Sequence, residues 1–137
     1  MQVSFEIDIS DSDKKRIHQA ALLASLSECN PRTRHGCLIV KAGHTIAVGV
    51  NCIRNDPKQF AFEFKDTTGI SIHAEEACLR ALNWRAHGCT AYIARLNSTD
   101  DLTMSRPCKR CMKKLKLAGV NKICYTTYSG SIKSERI

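Results

Sequence analysis

The chain of 137 residues is 43% hydrophobic and 25% charged and contains seven glycines and three prolines. This composition excludes a disordered or low-complexity protein, and no apolar run approaches the roughly 18 residues that a membrane-spanning helix needs. A chain of this length normally builds one hydrophobic core, so we expect residues 1–137 to form a single domain with no membrane partner.

In chain order, the first predicted element is a helix. The segment ISDSDKKRIHQAALLASLSECN opens with capping residue types and continues with apolar residues at helical spacing. After PRTR, the segments GCLIVK and TIAVGV predict two short buried strands joined by a turn at AGH. A long irregular stretch from Asn51 to Gly69 follows and contains the aromatic segment FAFEF.

The second half of the chain predicts two more helices and at least two more strands. A helix is expected from near Ile72 to about Arg85, then a strand at CTAYIARL. PCKRCMKKLKLAG has a proline at its start and a glycine at its end, which is typical of a helix. NKICYTT predicts a fourth strand, and the tail SIKSERI predicts an added edge strand. This order predicts a three-layer α/β/α sandwich with a mixed sheet.

The net charge of +8 is unevenly distributed. No acidic residue lies between Leu102 and Ser134, whereas this stretch contains eight basic ones: Arg106, Lys109, Arg110, Lys113, Lys114, Lys116, Lys122 and Lys133. Such a field favours a phosphorylated substrate or a nucleic acid. The alternative interpretation is a solvated helix face.

The cysteine pattern bears on the redox environment. The N-terminal segment MQVSFEIDIS has no basic or apolar signal-peptide region, so we expect a cytoplasmic protein with reduced thiols. Most of the eight cysteines, such as Cys37, Cys78 and Cys124, lie in apolar settings typical of buried thiols. Only Cys108 and Cys111 form a close pair. A disulfide scaffold is the competing interpretation.

The close pair suggests a metal site. Cys108 and Cys111 are three positions apart at a predicted helix start, so both thiols can face one point. The helix N-terminus and nearby cationic side chains favour thiolates there. Alone, this pair could serve redox chemistry or half of a structural zinc site. His73 is the best third ligand because it also opens a helix, and three protein ligands with one open position are the catalytic arrangement.

Glu75 gives the predicted metal site a proton carrier. His73 and Glu75 can share one site only if His73 lies at or before the first helical turn, since residues two apart point to opposite sides of a helix. A carboxylate beside a metal-activated water typically contributes about 10²–10⁴ in rate. The pattern H-x-E … P-C-x-x-C is the motif of zinc nucleobase deaminases. The alternative is a core histidine with an unrelated thiol pair.

Three segments resemble the zinc-dependent cytidine/deoxycytidylate deaminase superfamily: IHAEEACLRAL, SRPCKRCMKKLKLAGVNKICYTT and SECNPRTRHGCLIVKAGHTIAVGVN. The last is similar to the deoxycytidylate branch. The resemblance implies a cytidine deaminase-like fold with about five strands and one Zn²⁺ held by His73, Cys108 and Cys111, with Glu75 as the proton shuttle. It also implies substrate contacts, expected from the Asn51 side chain and from the backbone of Ala74, Ser105, Arg106 and Pro107.

Two features depart from the family pattern. The segment LNSTDDLTMSR between the third strand and the proline is longer than usual and would reshape one wall of the pocket. Arg106 is more basic than the residue that many members carry before the proline. It could bind a substrate phosphate or cap a loop carbonyl.

These observations favour hydrolytic deamination of cytosine to uracil in a free nucleotide such as deoxycytidylate. A polynucleotide deaminase acting on cytosine or tRNA adenosine is the alternative, since FAFEF and the basic helix could hold a single strand. An inactive zinc-bearing binding module is a third possibility. The resemblance also implies a homo-oligomer. A second zinc site from Cys29, His35, His44 and Cys52 matches no ligand spacing.

Overall fold

The structure is a computed structural model that describes residues 5–28, 33–53 and 71–137; for residues 5–7, 52, 53 and 71 it describes the backbone alone. The expectations placed on Cys29 and on FAFEF lie outside these ranges. Within them, no helix has the length and apolar character needed to cross a membrane.

The described residues contain three α-helices, namely α1 (Asp11–Ala24), α2 (Ala74–Ala81) and α3 (Lys109–Leu117). The start of α1 is a capping box, because the Ser10 hydroxyl accepts from the Asp13 amide while the Asp13 carboxylate accepts from the Ser10 amide. Helix α2 is shorter than predicted because the backbone turns left-handed at Asn83 and Trp84, with φ of 51° and 62°. Helix α3 ends, as expected, before the left-handed Gly119.

Nine strands accompany these helices in the described ranges. They are β1 (Phe5–Ile7), β2 (Arg34–Lys41), β3 (His44–Val50), β4 (Cys52–Ile53), β5 (Ser71–Ile72), β6 (Thr90–Leu96), β7 (Leu102–Thr103), β8 (Lys122–Thr126) and β9 (Ile132–Arg136). The main sheet has the order β1-β9-β8-β6-β2-β3, and β7 pairs with the end of β6. Only β6 and β8 pair in parallel, with α3 in the connection between them. Strands β4 and β5 form a separate pair.

The helices cover both faces of this sheet. Alternate residues of β2 show the division: Leu38 and Val40 pack with α1 in one apolar cluster, while Cys37 and Ile39 face the cluster that includes residues of α2 and α3. The fold is therefore the predicted three-layer α/β/α sandwich with a mixed sheet.

The ends of the sheet differ from the prediction. The C-terminal tail does form a strand, β9, but it is not the edge, because β1 pairs antiparallel with it from Phe5↔Arg136 to Ile7↔Ser134. The main sheet therefore has six strands in its path plus the two-residue β7, rather than about five. A three-residue strand such as β1 is too short to show an alternating pattern, so its sequence carries no strand signal.

A glycine has a structural role near each end of β3. The predicted hairpin between β2 and β3 turns through Ala42 and Gly43, both at positive φ. At the other end of β3, a Cβ on Gly49 would lie 2.6 Å from the Ala74 carbonyl oxygen. The absence of a side chain at Gly49 therefore lets the first turn of α2 rest directly on β3.

The described thiols show no disulfide. Cys37, Cys78, Cys89, Cys108, Cys111 and Cys124 are all free, and every one except Cys108 is buried. The disulfide-scaffold interpretation is thus wrong for these six residues, and the expected burial of Cys37, Cys78 and Cys124 is confirmed.

Candidate active site

His73 lies at the junction of β5 and α2. It is the N-cap residue of α2, with an extended backbone at φ −69° and ψ 152°. Its side chain makes no capping hydrogen bond, so the imidazole is available to face another element. His73 therefore lies before the first turn of α2, which is the position it needs if it is to share a site with Glu75.

The two close cysteines occupy the start of α3. Cys108 is the N-cap, and its sulfur accepts from the Cys111 amide at 3.5 Å. Pro107 therefore precedes the cap rather than occupying the first helical turn as predicted. Cys111 is buried, whereas Cys108 is exposed.

The structure brings these three residues together. The ligand atoms of His73, Cys108 and Cys111 all lie within 4.8 Å of one another, and His73 Nδ1 is 3.1 Å from Cys111 Sγ. Zinc–sulfur bonds of about 2.3 Å and zinc–nitrogen bonds of about 2.0 Å place tetrahedral donors roughly 3.5–4 Å apart, so this donor set fits zinc. Across the described ranges it is the only such cluster, and neither His35 nor His44 belongs to one.

The Cys111 thiol resists ionisation by itself. Burial raises its pKa, and the nearby Glu75 and Cys108 raise it further, whereas Lys114 lowers it. Burial and these neighbours thus act against the thiolate that the helix start was expected to favour. A cation between the three donors would reverse this balance, because a coordinating thiol is deprotonated.

Glu75 lies in the first turn of α2, with only 4% of its surface exposed. Burial raises the pKa of its carboxyl, and the charge of Glu76 adds to this effect; its own backbone amide, His73 and a hydrogen bond with Cys111 oppose it without cancelling it. The carboxyl therefore lies against the donor cluster in a site that favours proton uptake. Strongly perturbed carboxyls of this kind concentrate at functional sites.

Asn51 follows β3 and is engaged mainly with the protein itself. Its Oδ1 accepts from the His35 amide and the Ser27 hydroxyl, both at 2.8 Å. Its Nδ2 donates to the Thr33 carbonyl at 2.5 Å. These bonds fasten the chain before β2 to the end of β3, a role the sequence did not suggest. A contact between Asn51 and a substrate stays a prediction.

Ser105 anchors the segment that leads into α3. Its hydroxyl donates to the Ile93 carbonyl at 2.7 Å and accepts from the Thr126 amide at 2.8 Å. Its own amide donates to the Thr126 carbonyl at 2.9 Å. Ser105 therefore fixes the approach to Pro107 on both β6 and β8, and the expected recognition of a base by this backbone stays a prediction.

Arg106 pairs with an acidic residue from the last strand. Its Nε donates to Glu135 Oε2 at 2.9 Å, although 43% of the arginine side chain is exposed. The hydrogen bond with Glu135 raises the pKa of Arg106. Burial, together with the same carboxylate, raises the pKa of Tyr125 to about 12. The guanidinium thus has a carboxylate partner that the sequence did not indicate, and its phosphate role stays a prediction.

The basic stretch around α3 is partly neutralised. Lys114 pairs with Glu76 on α2, and Lys122 lies 3.4 Å from Asp13 on α1. Lys109, Arg110 and Lys113 are exposed beside the metal-site donors. The pairing of Lys114 could not be read from the sequence, because Glu76 lies 38 residues away.

Comparison with known proteins agrees with this geometry. The family model for the cytidine and deoxycytidylate deaminase zinc-binding region matches residues 10–127. No curated protein sequence is significantly similar to the chain.

Several solved structures share the fold. The dCMP deaminase of cyanophage S-TIM5 in its apo form is 21% identical, with a TM-score of 0.65 over 89% of this chain and 87% of that one. A cytidine deaminase from Burkholderia pseudomallei is 14% identical, with a TM-score of 0.64 over 93% of both chains. RibD from Acinetobacter baumannii is 26% identical, with a TM-score of 0.53 over 85% of this chain but 28% of its own.

Proposed function

The chain belongs to the zinc-binding cytidine and deoxycytidylate deaminase family, and we propose on that premise that it hydrolyses cytosine to uracil and ammonia in a free nucleotide such as deoxycytidylate. One observation carries the proposal. The donor atoms of His73, Cys108 and Cys111 converge within 4.8 Å, and the carboxyl of Glu75, 4% exposed, lies against Cys111 in that cluster. Three ligands beside a carboxylate are what hydrolytic deamination of a base needs.

The roles of these residues follow from their positions. His73, Cys108 and Cys111 would hold the metal, and zinc supplies Lewis-acid chemistry that brings the pKa of water near 7. Glu75 would accept a proton from the attacking water and deliver it to the ring nitrogen beside C4. The carboxylate would next take the proton of the hydroxyl group now bonded to C4 and pass it to the amino group, so that the C4–N bond breaks, ammonia leaves and the C4 carbonyl of uracil forms. Burial of Glu75 supports this role because it excludes bulk water as a competing proton acceptor.

The backbone around the cluster is suited to hold the base. Ala74 is the first residue of α2, so its amide has no acceptor within the helix. Ser105 is fixed to β6 and β8, which makes the Ser105–Pro107 backbone a rigid wall beside Cys108. We assign base contacts to these groups, and a sugar or base contact to the remaining Nδ2 hydrogen of Asn51.

A nucleotide is favoured over a nucleoside by the charge beside the site. Arg106 lies two residues before Cys108 and remains 43% exposed while Glu135 holds its Nε. A guanidinium oriented in this way can direct its remaining donors to a phosphate. The cyanophage S-TIM5 dCMP deaminase, solved with dCMP and dUMP, has the same fold with a TM-score of 0.63 at 22% identity over 88% of this chain and 85% of that one.

A polynucleotide substrate is the second candidate. Cys108 is exposed, and Lys109, Arg110 and Lys113 extend from it along the open side of α3. A continuous row of cations next to the reacting site could follow the backbone of a single strand. A nucleoside has no phosphate for these cations to contact, so the row favours a polynucleotide substrate over a nucleoside.

The decisive experiment is turnover of a substrate panel by zinc-loaded protein. It compares cytidine, deoxycytidine, deoxycytidylate, adenosine and single-stranded DNA and RNA oligonucleotides, with ammonia release or mass shift as the readout. Turnover of deoxycytidylate supports the proposal, and turnover of oligonucleotides alone supports the second candidate. Zinc-loaded protein that is inactive on the whole panel would contradict both.

The variant Arg106→Gln tests the proposed contact between Arg106 and the substrate phosphate. It is expected to raise KM for deoxycytidylate by about tenfold, the scale of one lost charge-assisted hydrogen bond, with little change for deoxycytidine. An equal effect on both substrates would instead make Arg106 a partner of Glu135 only. Light scattering of the same samples tests the expected homo-oligomer.

A further inference from the structure

An ion pair joins the two helices that carry the metal-site donors. Lys114 Nζ on α3 donates to Glu76 Oε1 on α2, and Glu76 Oε2 lies 3.5 Å from Arg80 one turn along α2. The Glu76 side chain is 9% exposed and that of Lys114 is 24% exposed. Both oxygens of a nearly buried carboxylate therefore face cations, and only Lys114 comes from the other helix.

This ion pair lies directly behind the candidate metal site. Glu76 follows Glu75 in the first turn of α2, and Lys114 lies three residues after Cys111, on the same side of α3. The bridge thus spans α2 and α3 about one turn from the donor atoms.

Apart from the contacts of His73 and Glu75 with Cys111, the two helices pack through apolar side chains. Leu79 of α2 and Met112 and Leu115 of α3 belong to one buried cluster. The hydrophobic effect is non-directional, so burying these side chains defines the register of the two helices less sharply than a directional contact does. A charge-assisted hydrogen bond has a defined length and direction. The ion pair therefore adds a defined distance and direction between α2 and α3, which burial of apolar surface does not set.

We propose that Glu76 and Lys114 are positioning residues for the metal site. Their bridge sets the relative placement of the first turns of α2 and α3, so that His73 on one helix meets Cys108 and Cys111 on the other. This inference rests on the metal-holding role assigned above to those three residues, and it is independent of which nucleotide or polynucleotide is the substrate.

Zinc affinity tests the inference directly. Competition with a chromophoric chelator under reducing conditions measures the zinc affinity of the whole chain and of Lys114→Met, which keeps the length of the side chain but removes its charge. We expect about tenfold weaker binding, the lower end of what partners behind metal ligands contribute. Lys114→Arg keeps the charge and can reach Glu76, so it should bind zinc within about threefold of the wild type.

The matched control is Lys122→Met. Lys122 pairs with Asp13 at 3.4 Å, and the two side chains are 25% and 3% exposed, close to the values for Lys114 and Glu76. That pair joins β8 to α1, on the other face of the sheet. Lys122→Met should lower the melting temperature and leave zinc affinity unchanged.

Each outcome decides the inference. It is overturned if Lys114→Met binds zinc as tightly as the wild type, or if Lys122→Met loses as much affinity. If circular dichroism shows that Lys114→Met does not fold, Glu76→Gln, which preserves shape, takes its place, and unchanged affinity in that variant overturns the inference. A wild type that binds zinc but deaminates nothing would contradict the proposed function and leave this test intact.

Discussion

His73 Nδ1 lies 3.1 Å from Cys111 Sγ, although the two residues are 38 positions apart in the chain. The contact forms because each residue stands at the beginning of a helix, and both helices pack on the same face of the sheet. The first turn of α2 rests on β3, where Gly49 admits it. The candidate metal site therefore depends on how the first turns of two helices are placed.

Glu75→Gln should abolish deamination while leaving zinc binding and folding intact. The amide has the shape of the carboxyl but cannot accept and deliver a proton, so kcat should fall by at least about 10²–10⁴. Turnover of deoxycytidylate and metal content by atomic emission are measured on the same preparation. Near-normal kcat with full zinc would remove Glu75 from the mechanism.

Gly49→Ala should weaken both folding and zinc binding. The new Cβ would lie 2.6 Å from the Ala74 carbonyl oxygen, which forces α2 away from β3. Overpacking of this kind costs about 1–3 kcal/mol of the free energy of unfolding. Urea denaturation and chelator competition measure the two effects.

Gly36→Ala is the control for that substitution. Its Cβ would lie 2.0 Å from the Ala20 carbonyl oxygen of α1, on the opposite face of the sheet. Gly36→Ala should lower the free energy of unfolding at least as much as Gly49→Ala does. Under conditions in which Gly36→Ala is folded, its zinc affinity should equal that of the wild type. Equal losses of zinc affinity in both variants would mean that the contact at Gly49 has no special link to the site.

Ser105→Ala should destabilise the segment that leads to the cysteines. The substitution leaves the buried Thr126 amide and the Ile93 carbonyl without their Ser105 partner. An unsatisfied buried group costs about 1–3 kcal/mol. Thermal denaturation should show this loss, whereas the exposed Ser98→Ala should change the free energy of unfolding by less than about 0.5 kcal/mol. Similar stability in the two variants would argue against an anchoring role for Ser105.

Asp13 should make folding sensitive to acid. Burial raises the pKa of its carboxyl, but hydrogen bonds from Tyr92 and Ser10 and the charge of Lys122 outweigh burial, so the pKa is lowered. The unfolded chain then binds more protons than the folded one, and stability rises with pH. The stabilisation by Asp13 is complete above its unfolded-state pKa of about 4 and is lost as pH falls through its folded-state pKa.

Asp13→Asn tests this dependence. The variant should be about 1–3 kcal/mol less stable than the wild type near neutral pH, and the difference should shrink as pH falls below about 4. Urea titrations across this range give the free energies of unfolding. A difference that stays constant with pH would mean that the Asp13 charge contributes nothing beyond its hydrogen bonds.

The amino-acid sequence determined the candidate metal site to the extent that the site is local. His73, Cys108 and Cys111 each lie at or next to a helix start, and capping residues, a left-handed glycine and the three-residue cysteine spacing are visible within a few positions. The layer order followed for the same reason, since the continuous apolar run in β2 and the turn at Ala42 and Gly43 are short-range patterns.

Only the tertiary structure decided the pairings that cross the fold. Nothing near Phe5 indicates that it pairs with Arg136, and nothing near Glu76 indicates Lys114. The same holds for Arg106, whose partner Glu135 comes from the last strand. Local conformation depends on neighbouring residues, whereas each of these contacts depends on which strands become neighbours and how two helices are oriented. That choice is made by burying apolar surface over the whole chain, so no short segment records it.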